Sequence, residues 1–177
     1  MNSIVLTAKK YCNGIYDIET TSELWVKTFE YIISHKNGLN FEKNKIQLLW
    51  TVNGGNIRRK ISNDNLVLSV LKLSLPGYVG SGLTLFRGEN KHLYESNKIG
   101  FSWTPNISVA TTFAHGLNSI ESGGVLLKAF APTKAILSSP NDHSLIQMKE
   151  SEFICNPNLL EKIEVINFFP KTGKMYT

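Results

Sequence analysis

Leu83-Thr84-Leu85-Phe86-Arg87-Gly88-Glu89 is the stretch at which the chain changes texture. From Gly82 onward, short apolar runs recur between Gly, Pro and Asn, the pattern of strands in a mostly antiparallel sheet or sandwich. Strands are expected over Leu83–Arg87, Lys98–Ser102, Gly124–Ala131, Lys134–Leu137, Ser151–Asn156 and Lys162–Phe169. One short helix interrupts them, over Ile107–His115, entered through Pro105-Asn106 with Val109, Ala110 and Phe113 facing inward.

Upstream of this stretch the periodicity is helical. Thr20-Thr21-Ser22-Glu23 offers hydroxyl caps to a helix that carries Trp25, Phe29, Ile32 and Ile33 on one face, with Gly38 as its stop. A second amphipathic segment runs from Asn40 to Trp50 and is expected to end at Gly54-Gly55. A third follows Asn63-Asp64 through Val67, Leu71 and Leu73, and Pro76-Gly77 closes this half. The expected fold class is therefore α+β, a single domain over 1–177 with a helical part over 1–77 and a β-rich part over 78–177.

Composition is compatible with this reading. The chain has 177 residues, 42% of them apolar and 19% charged, which places it among globular rather than disordered sequences. No apolar run reaches transmembrane length, and the lysines of the N-terminus follow its short apolar stretch instead of preceding it, so neither a membrane span nor a signal peptide is expected. Cys12 and Cys155 lie far apart without a neighbouring Cys or His at ligand spacing, so no metal site is expected and the cytoplasm is the expected location. The net charge of +5 favours a polyanionic partner or the phosphates of a dinucleotide, although the cations are scattered apart from Lys9-Lys10 and Arg58-Arg59-Lys60.

Three pieces of the second half read together. They are Leu85-Phe86-Arg87-Gly88-Glu89, then Gly100-Phe101-Ser102-Trp103-Thr104-Pro105 leading into Ala110-Thr111-Thr112-Phe113-Ala114, then Glu150-Ser151-Glu152-Phe153-Ile154. Singly they are an arginine before a turn, a hydroxyl pair before a helix, and two carboxylates on a strand edge. In this order the series resembles the Arg-Ser-Glu clade of mono-ADP-ribosyltransferases, the cholera-toxin-like and vertebrate-ectoenzyme-like branch. The resemblance covers Leu83–Ile166, and the helical half adds nothing to it. It departs from the family's Ser-Thr-Ser element at Trp103, where an indole replaces the middle hydroxyl, a change that phage- and prophage-encoded relatives tolerate.

The resemblance implies an ADP-ribosyltransferase-like split antiparallel β-sandwich with NAD⁺ bound as substrate in the cleft between sheets and no metal. Glu152 would stabilise the oxocarbenium-like charge that develops on the ribose when nicotinamide leaves. Glu150, two residues earlier on a strand, would share the face of Glu152 and orient or deprotonate the acceptor. Arg87 would fork onto the pyrophosphate, Gly88 would let the backbone approach the nicotinamide amide, Ser102 would hydrogen-bond Glu152, and Thr104 would support the loop or cap the next helix.

Other residues carry less. His35, His92, His115 and His143 share no ligand spacing, Cys155 reads as a small core residue, and Trp103 is read either as a stacking platform or as a core indole. The acceptor that the resemblance implies is a protein arginine, RNA or DNA. Water as acceptor, making an NAD⁺ glycohydrolase, and a non-catalytic module that holds nucleic acid or a partner protein are the alternatives. The implied setting is an intracellular toxin, phage host-modifier or defence effector, with a neutralising protein as partner and no membrane.

Overall fold

A computed structural model describes residues 3–173; residues 1–2 and 174–177, the ends of the expected single span, lie outside the described residues. The chain is mixed α+β and carries two small antiparallel sheets. It divides into two compact units, Met1–Gly77 and Tyr78–Thr177.

The first unit is helical: α1 (Ser3–Cys12), α2 (Ser22–Ser34), α3 (Lys43–Ile61) and α4 (Asp64–Ser74). α2 starts where its hydroxyl caps predict, because Thr21 accepts from the Leu24 N–H at 3.3 Å. It ends at Ser34, and Gly38 instead closes a separate short turn over Lys36–Gly38. α4 is capped in the same way by Asn63, whose side chain accepts from the Leu66 N–H at 3.1 Å. α1 is absent from the sequence reading. It buries Ala8, Tyr11 and Cys12, and Tyr11 meets Phe29 edge-on with ring centroids 5.0 Å apart, while its hydroxyl lies 3.1 Å from Ser74 Oγ.

α3 corrects the expected stop at Gly54-Gly55, since the helix runs unbroken through both glycines to Ile61. A Cβ at Gly54 would stand 2.7 Å from the Trp50 indole. Gly54 is therefore a close-packing residue one turn from a buried tryptophan, and its contacts outweigh a propensity cost of about 1 kcal/mol.

The second unit holds β1 (Leu83–Asn90), α5 (Lys91–Glu95), β2 (Ser102–Trp103), α6 (Ile107–His115), β3 (Gly124–Ala131), β4 (Ile136–Ser138), β5 (Phe153–Cys155) and β6 (Glu161–Phe169). One sheet has the order β1-β3-β6 and the other β2-β5-β4, all pairs antiparallel. The sheets are joined where Phe86 and Thr104 exchange both backbone hydrogen bonds, at 2.7 and 2.9 Å. β3 is central in its sheet and buried along nearly its whole length, whereas β6 is an edge strand and mostly exposed. Leu85, Trp103, Val125, Leu127, Ala129, Ala131, Ile136 and Cys155 form the core.

Three strand expectations need correction. Of the run Lys98–Ser102 only Ser102 is in a strand, the two-residue β2, and α5 and a turn with Asn97 at φ +55° come just before the run. The run Lys134–Leu137 begins as a short helical turn, and β4 starts at Ile136. The run Ser151–Asn156 starts at Phe153: Lys149 and Ser151 sit at φ +56° and +49°, which breaks extended pairing ahead of β5. Glu150 and Glu152 accordingly lie on a turn, and the period of two that was to align them does not apply.

Candidate active site

β1 presents successive side chains to opposite faces, so Arg87 and Glu89 share one face and Gly88 takes the other. On the Gly88 side lies α6. A Cβ there would collide with the Ala110 carbonyl oxygen and the Ala114 nitrogen, so glycine is required for α6 to lie on the strand. Its backbone has a further property. Phe86 turns its N–H and C=O to the outer edge of β1, and Gly88, two residues on, turns its own to the same edge. There the Gly88 carbonyl accepts from Asn118 Nδ2 at 2.7 Å.

On the opposite face, Arg87 Nε donates to Glu89 Oε2 at 2.7 Å, and Arg87 Nη1 donates to the Ser102 carbonyl at 2.7 Å. Ser102 Oγ in turn donates to Glu152 Oε1 at 2.5 Å. Arg87, Ser102 and Glu152, distant in sequence, thus meet in one hydrogen-bonded chain that crosses from the first sheet to the second. Gly100 makes room for it, because a Cβ at that position would collide with the Arg87 guanidinium.

Glu89 carries no role in the sequence reading, yet it begins this chain. It is 1% exposed and accepts from Arg87, from the Gly100 N–H at 2.7 Å and from the Asn90 N–H at 2.9 Å. Burial alone would raise its pKa, but the Arg87 charge and those hydrogen bonds together outweigh burial and hold it below the ordinary carboxylate value. The available signal was the i, i+2 spacing of Arg87 and Glu89 on a strand, which puts opposite charges on one face.

Glu152 is also buried, at 9% exposure, but is raised to about 7. Burial is the main cause and the nearby Glu150 charge adds to it, while the Ser102 hydrogen bond and the Arg87 charge oppose it. Glu150 is half-buried and raised above its ordinary value by burial, with the His143 charge opposing. The turn that carries both glutamates rests on Ser144, another residue outside the sequence reading. Ser144 Oγ accepts from the Glu152 N–H at 2.7 Å, and its carbonyl faces the Glu150 and Ser151 N–H groups at 2.9 and 3.3 Å.

Thr104 does not reach this chain with its hydroxyl. Its backbone makes the bridge to Phe86, and Oγ1 accepts from the Asn106 N–H at 3.1 Å, just ahead of the α6 cap that Asn106 itself provides. Trp103 is 1% exposed in the core, with Nε1 donating to the Gly100 carbonyl at 3.1 Å, which decides between its two readings in favour of packing. Cys155 is fully buried and burial pushes its thiol up to about 12, so it packs as a small apolar side chain.

The densest basic cluster, in the helical unit, is engaged internally. Arg58 forks onto Asp64 at 2.8 and 2.7 Å, Arg59 donates to Asn56 at 3.2 Å, and Lys60 donates to the Ile18 and Thr20 carbonyls at 2.7 and 2.8 Å. These cations secure α3 and its neighbours. Among the described residues no group of three or more His, Cys, Asp and Glu is placed to hold a metal ion, and no helix is long and apolar enough to cross a membrane. Comparison with protein-family models, with curated proteins and with solved structures finds no match to this chain.

Proposed function

We propose that the chain is a mono-ADP-ribosyltransferase that moves ADP-ribose from NAD⁺ onto a macromolecular acceptor, with the β-rich unit as an ADP-ribosyltransferase-like split β-sandwich. The observation that carries this reading is the hydrogen bond from Ser102 to Glu152, in a chain where Arg87 also grips the Ser102 carbonyl. A buried carboxylate steadied by a hydroxyl and backed by an arginine suits a reaction that develops positive charge on a sugar and starts from a dianionic pyrophosphate.

In the proposed reaction the bond between the nicotinamide nitrogen and the ribose anomeric carbon breaks, and its electron pair leaves with neutral nicotinamide. The ribose acquires oxocarbenium character, which ionised Glu152 stabilises directly and through the ribose hydroxyl beside it. The acceptor's nucleophile bonds to the same carbon and releases a proton, for which Glu150 is the nearby base. Arg87 would meet the pyrophosphate, and the backbone edge at Gly88 would meet the nicotinamide amide. Because Glu152 is raised to about 7, its ionised fraction, and with it the rate, should climb with pH through that value.

The acceptor is a protein arginine or a nucleic acid. A dedicated nucleic-acid module is the weaker reading, since Arg58 and Lys60 of the densest basic cluster are committed to contacts within the helical unit. The proposed setting is cytoplasmic, as a toxin, phage host-modifier or defence effector neutralised by a protein partner. The test is incubation of wild type and Glu152→Gln with labelled NAD⁺, cell lysate and total RNA. Label on protein or RNA that is lost in the variant supports the transferase; free ADP-ribose alone replaces it with a glycohydrolase; intact NAD⁺ overturns both. Expression should slow growth and Glu152→Gln should relieve it.

A further inference from the structure

The turn that presents Glu150 and Glu152 is strained, and the N–H groups of Glu150, Ser151 and Glu152 are all held by one residue. Lys149 and Ser151 both adopt left-handed backbone, at φ +56° and +49°, a conformation that non-glycine residues hold only where their surroundings impose it. The imposing contacts converge on Ser144. This side chain is fully buried, its Oγ receives the Glu152 N–H at 2.7 Å, and its carbonyl is the acceptor for the Glu150 N–H at 2.9 Å and the Ser151 N–H at 3.3 Å. Ser144 is anchored in its turn, since its own N–H donates to Asn141 Oδ1 at 2.8 Å. Residues 145–149 between the pin and the glutamates are all exposed, so they supply no buried packing to hold the turn.

From this geometry we infer that Ser144 is a positioning residue for the transferase reaction, fixing the Glu152 backbone so that its carboxylate meets Ser102 and the ribose. The inference rests on the proposed function. The Ser144 hydroxyl bonds the peptide nitrogen of the residue whose carboxylate does the chemistry, so its removal shifts Glu152 without touching Arg87 or the backbone edge at Gly88. A displacement of about 1 Å in a reacting group costs on the order of a hundredfold in rate. The loss should therefore fall on kcat, and the KM for NAD⁺, set by Arg87 and the backbone of β1, should change little.

The experiment compares wild type, Ser144→Ala and Ser144→Cys in NAD⁺ turnover across pH, with a thermal melt of each. The cysteine preserves bulk but accepts hydrogen bonds weakly, and it carries the test if the alanine variant does not fold. The expected result is a melt like that of wild type, kcat down about ten- to a hundredfold, KM for NAD⁺ within about twofold, and an acid limb of kcat moved to higher pH as the Ser102 bond to Glu152 loosens. Folded variants with wild-type kcat, or with kcat reduced only in proportion to an unfolded fraction, overturn the inference and leave the proposed function standing. A wild type that consumes no NAD⁺ overturns both.

Discussion

Two buried glutamates on one hydrogen-bonded chain are driven in opposite directions. Glu89 receives Arg87 and two backbone N–H groups and is held below the ordinary carboxylate value, whereas Glu152 receives Ser102 and is raised to about 7. Both are desolvated, so burial does not separate them. What separates them is the donor set: Glu89 is saturated by a cation and fixed amides, while Glu152 has a single hydroxyl and a second carboxylate nearby. A saturated carboxylate is a structural anchor, and an unsaturated one retains its capacity for an incoming positive charge. Under the proposed function, the contrast leaves anchoring to β1 and the chemistry to the turn before β5.

The largest expected effect falls on the unsaturated member. Glu152→Gln keeps the shape and a hydrogen-bonding oxygen but removes the charge, and should lower NAD⁺ turnover by about a thousandfold. Turnover within tenfold of wild type would remove Glu152 from the chemistry and dissolve the contrast. Next comes the saturated member. Glu89→Ala leaves Arg87 mostly buried without its carboxylate, and should destabilise the second unit by about 3–5 kcal/mol, read as a drop in denaturation midpoint. The stabilisation from Glu89 is present above its unfolded value near 4.5 and is lost as pH falls through its lower folded value, so wild type should lose more stability than the alanine variant on acidification. Equal acid sensitivity would show that Glu89 is not held low.

How much of this contrast the sequence discloses depends on the range of the contacts involved. Local signals served well: the hydroxyl and amide caps at Thr21 and Asn63, the α6 entry at Asn106, and the apolar run that becomes β3. The resemblance singled out Arg87, Ser102 and Glu152, and the structure brings these three onto one hydrogen-bonded chain. The other parts that depend on distant partners were not legible. Gly54 reads as a terminator until Trp50 is seen packed on it, and Ser144 reads as a loop hydroxyl until the Glu152 N–H is found on it. The turn at Lys149–Ser151 looks like a strand edge from composition, because left-handed backbone at lysine and serine leaves no residue-type signal. Glu89 is legible only in part: its spacing to Arg87 lies within the strand, but its partner Gly100 lies outside it, and only the fold brings those two together.

A third effect, smaller than the first two, inverts the usual expectation for an active-site substitution. Between the unfolded value near 4.5 and the folded value of about 7, native Glu152 binds a proton that the unfolded chain has released. Stability contributed by this group therefore declines as pH rises through that window and stays low above it, by up to roughly 3 kcal/mol. Glu152→Gln has nothing to ionise and should melt higher than wild type at pH above this window, with the two converging below it. A variant that melts no higher than wild type in alkaline buffer would mean that Glu152 is better solvated than its burial implies.

The smallest effect concerns the hydroxyl between the two carboxylates. Ser102→Ala removes the hydrogen bond to Glu152 but leaves the Ser102 carbonyl on which Arg87 rests, so Glu89 and Arg87 should be undisturbed. A hydrogen bond to a charged group contributes about 1.5–3 kcal/mol, and here it opposes the upward push of burial on Glu152. Its removal should raise the Glu152 pKa further and lower kcat by about tenfold near neutrality. Part of that loss should be recovered as pH rises, because Glu152 ionises there even without the serine, whereas Glu152→Gln has nothing to ionise and its deficit against wild type should grow with pH. If the Ser102→Ala deficit is the same at every pH, the serine serves to place Glu152 and not to tune its charge; a deficit that shrinks with rising pH assigns it both tasks and ties the reactivity of Glu152 to the scarcity of its donors.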